Sequence, residues 1–220
     1  FKMVLPTEKA GVFSLFGLGG KSDFFLEDVT PSLWEVPGNG SQKTAINEDY
    51  EKDAYLANTG LNHTINLNSK SYLRSTLAWS FEGIDDDVYE KEVVKIYDEN
   101  GEFLRDSSVS SKNNFSSRLQ KNTVRGAVTY HLKWNARHKV EVGTRYNLFG
   151  YNFQQSRLDE ESDERKYLVD FKENIGTIRN FVSVRSRLSE TFTVVAGVHN
   201  MNVLYNQKST VEPRVAFRWQ

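Results

Sequence analysis

Apolar and polar residues alternate with a period of two over stretches of about ten residues, and the connections between those stretches are alternately short and long. Successive side chains of a strand point to opposite faces, so each alternating stretch describes a strand between two different environments. The stretches exceed the ~5–6 residues usual for strands of soluble proteins. Short turns on one rim and long polar connections on the other specify an up-and-down antiparallel meander with two unlike faces. In a membrane β-barrel the apolar face meets lipid and the polar face lines the lumen.

Eight strands are expected. The first, near 11–20, is rich in glycine. The second, 54–67, sets Tyr55, Ala57, Leu61 and Ile65 against Asn58, Asn62, Thr64 and Asn66. After Asn68-Ser69-Lys70 the third sets Leu73, Leu77, Trp79 and Phe81 against Arg74, Thr76 and Ser80. The fourth, 122–134, carries Val124, Val128, Tyr130 and Leu132 opposite Arg125, Thr129, His131 and Lys133. Asn135-Ala136-Arg137 turns into a fifth, with Val140, Val142, Tyr146 and Leu148 opposite Glu141, Arg145 and Asn147. The sixth, 176–187, the seventh from Phe192 and the eighth, 211–219, repeat the split. Pro213 lacks a backbone donor and marks a bulge or a local edge.

Three connections, about 25–50, 84–115 and 154–172, read as long polar loops on one rim. Asn100-Gly101 between two apolar runs is a hairpin signal inside the second. No segment reads as a helix of three turns, and no boundary divides 1–220, which reads as one β-barrel segment.

The polar face is unusual in its charge. Arg74, Arg125, Arg145, Arg179, Arg185, Arg187, Arg214 and Arg218 share it with Glu141 and Glu212. In a small closed barrel, side chains fill the interior, and so many guanidinium groups need carboxylates or water. A wide, wet lumen in a barrel of more than eight strands accommodates them better.

Composition excludes several functions. Lys+Arg 28 against Asp+Glu 29 gives no basic field of the kind nucleic acid requires. Cysteine is absent, so no thiolate nucleophile or disulfide frame is available. No apolar run approaches the ~20 residues of a membrane helix. Residues 1–6 lack the ordered regions of a signal peptide, so the chain is expected to be mature or a piece. His63, His131, His138 and His199 lie on different strands without metal-ligand spacing, and no nucleophile elbow accompanies Ser, His and Asp. Glu141 and Glu212 as a glycosidase acid pair have only an assumed barrel to bring them together. The acidic runs at 85–87 and 159–164 lack the spaced oxygens of a Ca²⁺ loop and read as solvated loop. Neither catalysis, metal binding nor a cofactor is expected.

The stretches 11–20 and 211–219 resemble mid-barrel strands of TonB-dependent outer-membrane receptors. Residues 188–199 are similar to that family's short turn followed by a strand ending in Gly-x-His, here Gly197-Val198-His199. The branch resembled carries a carboxypeptidase-regulatory-like domain before its plug. The resemblance implies a bacterial outer membrane, a barrel of about twenty-two strands around a plug, and uptake of a scarce nutrient driven by an inner-membrane complex. The chain has neither plug nor energising motif, so it is expected to be a barrel portion that works only within a longer protein. Expected partners are outer-membrane lipid, the plug, the energising complex and a small nutrient of unknown class.

Within that expectation the long loops contact ligand. Their aromatic residues, Trp34, Tyr89 and Tyr97 among them, either stack on a flat ligand or anchor loops to one another. Arg145 and Arg185 line the lumen and attract anionic groups. Two other architectures fit the alternation: a complete eight-stranded membrane barrel in adhesion or structure, with first and last strands paired, and a soluble β-sandwich binding module with a second apolar layer.

Overall fold

In the computed structural model, residues 1–29, 42–159 and 161–220 are described. They form one antiparallel sheet with every strand beside its sequence neighbours. The strands are β1 (Lys2–Thr7), β2 (Gly11–Val29), β3 (Gln42–Asn68), β4 (Ser71–Tyr97), β5 (Phe103–Lys133), β6 (His138–Leu158), β7 (Arg165–Arg187), β8 (Phe192–Val203) and β9 (Lys208–Trp219). The expected meander is present, with β1 as an added strand that pairs Leu5 with Phe13. Pro6 and a tight turn end β1 too early for its alternation to stand out. The order runs from β1 to β9 without closure, leaving each of these two strands a free edge.

Two of the expected loops are largely strand. β4 runs unbroken to Tyr97 and β5 starts at Phe103, so most of 84–115 is a projecting hairpin. β6 continues to Leu158 and β7 starts at Arg165, which reduces 154–172 to a turn between them. Of the first connection, β2 reaches Val29 and β3 begins at Gln42. β5 alone has 31 residues, three times the ~9–11 that cross a bilayer. Polar residues on both faces hid the outer part of these extensions, because alternation disappears when both sides meet water.

Turn chemistry fixes the rims. Asn135 Oδ1 accepts the amides of Arg137 and His138, both at 2.8 Å. Asn68 Oδ1 accepts the Lys70 amide, and Ser189 Oγ that of Phe192. At the hairpin tip Asp98 Oδ1 accepts the amides of Asn100 and Glu102, and Gly101 takes φ 82°, a left-handed conformation that favours glycine.

The sheet has almost no conventional core. Ala45 and Val93, paired across the β3–β4 extension, are the buried apolar side chains among the described residues. Within the lower sheet Thr123, Asn147 and Thr177, all on the polar face, are buried, whereas Leu77 on the apolar face is 62% exposed and Val142 42%. Side chains converge on the inside of a curved sheet and splay on its outside, so the sheet curls toward its polar face.

Cross-strand register confirms the predicted division. Row by row, Leu73, Tyr130, Val142, Val182 and Val198 follow one another on the convex face. All eight arginines fall on the concave one. Pro213 pairs with Val198 without a register shift and sits on β9, whose outer edge is unpaired. Of its two expected meanings, the bulge is not formed.

Candidate functional site

The concave face divides into two zones. In the lower one, Arg125 Nε donates to Asn147 Oδ1 at 2.9 Å, and Asn147 Nδ2 donates to Thr177 Oγ1 at 3.2 Å. One row along, Arg145 of β6 lies directly across from Arg179 of β7. With His199, Glu212 and Arg214 these arginines line a concavity of about 450 Å³. Glu212 accepts from Arg214 Nη2 at 2.6 Å, and Glu141 faces His131 at 3.2 Å, under the ring of Tyr72.

Higher on the strands the two faces exchange character. The concave face turns apolar with Leu56, Ile84, Leu119, Phe153 and Phe171, while the convex face turns charged with Asp23, Asp53, Asp85, Arg118 and Asp170. The ladders run through the changeover without a bulge; the register shifts of β2 to β7 lie above it, the nearest between Gln155 and Ser156, or at the Asn66 turn. The inversion is therefore written in the residues and not in the backbone. It is legible in sequence as a phase change of the alternation near 82–84, 119–121 and 151–153, a signal our strand-by-strand reading did not use.

In this upper zone Leu56, Ile84, Leu119 and Tyr151 line a depression of about 620 Å³. Lys121 and Glu82 form an ion pair at 2.5 Å on its rim. The volume falls in the range of about 300–1,000 Å³ typical of small-molecule sites.

The candidate residues are dispersed. Tyr89 and Tyr97 belong to strand β4 and not to a loop. Tyr97 meets Phe103 edge-on across the hairpin neck, ring centroids 6.0 Å apart, which is the anchoring role. Asn113, opposite Tyr89, and Ala127, opposite Arg145, are separated on β5 by ~45 Å at the strand rise. Arg185 shares the face of Arg145 but pairs with Lys139. It stands ~20 Å along β7 from Arg179, so the structure joins Arg145 to Arg179 and not to Arg185. Trp34 lies outside the described residues. The acidic residues at 85–87 are on a strand, and among the described residues no three His, Asp or Glu side chains are grouped to hold a metal ion.

A polar latch organises the extension. Lys91 Nζ contacts Asp49 at 2.8 Å and Asp28 at 3.4 Å, and the Asp28 amide donates to Asp49 at 2.9 Å. Asp28 takes φ 53° to do so, at a bulge of β2. Hydrogen bonding to Lys91 holds the Asp49 carboxyl below its ordinary range despite its burial. Burial, the largest influence on Asp85, pushes its carboxyl up; Arg118 opposes this while Asp87, Asp53 and Asp86 add to it.

No protein-family model matches the chain, and no curated protein matches it.

Proposed function

We propose that this chain is wall from the barrel of a TonB-dependent outer-membrane receptor, taking part in capture and passage of a nutrient and not in catalysis. The length and placement of the convex apolar stretches carry this reading. They occupy 124–132 on β5, 140–148 on β6, 176–184 on β7 and 211–219 on β9, nine residues each and interrupted by Thr144 and Asn180, and a tilted strand crosses a bilayer in about 9–11. The band also climbs across the sheet. On β9 it extends to Trp219, four residues beyond Val215 in the row of Ala196, Val184 and Val140. On β4 the band begins at Leu73, opposite Tyr130. A level slab cut by tilted strands gives this offset.

Above the band the convex face is acidic and suited to water, so the extensions stand clear of lipid on this reading. The arginines then face a wet lumen, and the upper apolar depression faces whatever enters it. Trp219, met edge-on by Phe192, which in turn stacks on Phe217, lies at the short-turn end of the band, where an interfacial aromatic belongs.

Single cysteines along β6 test the membrane part. Probes at 142, 146 and 148 are expected to be quenched by brominated lipid, and probes at 139, 141 and 145, exposed on the concave face, to be reached by a water-soluble maleimide. Loss of that alternation overturns the lipid assignment. The receptor part rests on the native mass: a detergent-extracted protein several times heavier than 220 residues supports it, and a 220-residue species overturns it.

A further inference from the structure

We infer that Arg145 and Arg179 hold an oxyanion, the carboxylate or phosphate head of a small organic ligand whose apolar body lies against Phe181 and Met201. Two guanidinium groups directly opposite each other on one face of an antiparallel pair, with Cβ atoms ~5 Å apart, repel. Glu212 lines the same concavity and its charge acts on Arg179, but its hydrogen bond goes to Arg214, and Glu141 is held by His131. Among the described residues neither Arg145 nor Arg179 forms a hydrogen bond or salt bridge. An anion between them relieves the repulsion and meets the planar, multidentate donors that suit carboxylate and phosphate.

The surroundings select the rest of the ligand. Phe181 follows Arg179 by two residues on the same face and stacks on His199, ring centroids 5.4 Å apart and planes 16° from parallel. Met201 is the partner of Arg179 on β8. Together they give the concavity of about 450 Å³ an apolar side next to its charged one. Lys139 and Arg185 also face each other, but neither they nor Arg218 line this concavity.

The inference deepens the lumen reading and is tested apart from it, since binding needs only that the concave face meets water. Benzoate and its neutral isostere benzamide are titrated into the detergent-purified protein and followed by isothermal calorimetry. Benzoate is expected to bind, benzamide to bind at least about tenfold more weakly, and Arg145→Gln or Arg179→Gln to weaken benzoate by about tenfold or more. Arg185→Gln and Arg218→Gln are expected to leave it unchanged. Equal losses from all four variants would show a general positive field and overturn the site. Absence of benzoate binding, with Arg145→Gln alone lowering Tm, would assign the pair to a polypeptide carboxylate and overturn the small-ligand inference. Failure of the lipid-quenching pattern on β6 with the benzoate result intact would remove the barrel reading and leave the site standing.

Discussion

The ring of Phe181 lies over Gly143, its cross-strand partner, so closely that a Cβ on Gly143 would clash with Phe181 Cε1. The same device recurs where Phe16 covers Gly60 and where Tyr55 covers Gly83. A glycine in a strand gives up side-chain packing, and an aromatic residue folded across it from the next strand restores that packing. Gly143→Ala is therefore expected to destabilise by about 1–3 kcal/mol through overpacking. The cost should shrink in a Gly143→Ala, Phe181→Leu double variant, whose smaller side chain leaves room. Urea midpoints in detergent for the four members of the cycle check the coupling.

Asn147 is 3% exposed and ties Arg125 to Thr177 across three strands. Asn147→Leu removes both bonds and leaves a charged donor and a hydroxyl facing an apolar side chain. A loss of about 1–3 kcal/mol is expected, measured as the shift in urea midpoint. Replacing all three partners together with apolar residues should cost less than the sum of the single changes, since no polar group is then left without a partner.

Convex-face substitutions should show a depth profile. Val128→Arg, at the middle of its nine-residue stretch on β5, is expected to cost about 2–4 kcal/mol in lipid. The same change at Phe81, where the band gives way to the polar extension, should cost about 0–1 kcal/mol for the charge itself. Refolding into liposomes of defined composition gives the comparison. Equal costs at both depths would count against a bilayer slab.

The latch between β2, β3 and β4 should loosen in acid. The folded-state carboxyl of Asp49 is depressed, so its contribution is present above the unfolded value, about 4, and is lost as pH falls through the lower folded value. The ammonium of Lys91 is shifted up by the same contact, so its share is present below its unfolded value and is lost as pH rises through the folded one. Hydrogen exchange of the amides of 44–50 and 88–94 is expected to quicken below pH 4 and at strongly alkaline pH. Asp49→Asn should flatten the acid limb.

Several features of this protein were decided locally. The period of two assigned the faces of β3 to β9, because each side chain's direction follows from its place in its own strand. Turn residues such as Asn135 and Asn100-Gly101 fixed the rims through their own backbone neighbours. The phase change at the foot of the extensions is legible in the sequence, but their full length is not, since polar residues on both sides erase the alternation farther out, and β1 was too short and too broken by Pro6 to register.

Which residues meet across the sheet belongs to the tertiary structure alone. Arg145 and Arg185 have the same parity and looked equivalent along the chain. Register sets Arg145 against Arg179 and sends Arg185 to Lys139. Register is a relation between two strands, pinned by the turn that joins them and by hydrogen bonds that each sequence stretch leaves open until its neighbour is in place. The chain's alternation thus determined that the sheet has one arginine-bearing face, and only strand pairing decided where on that face two positive charges come together.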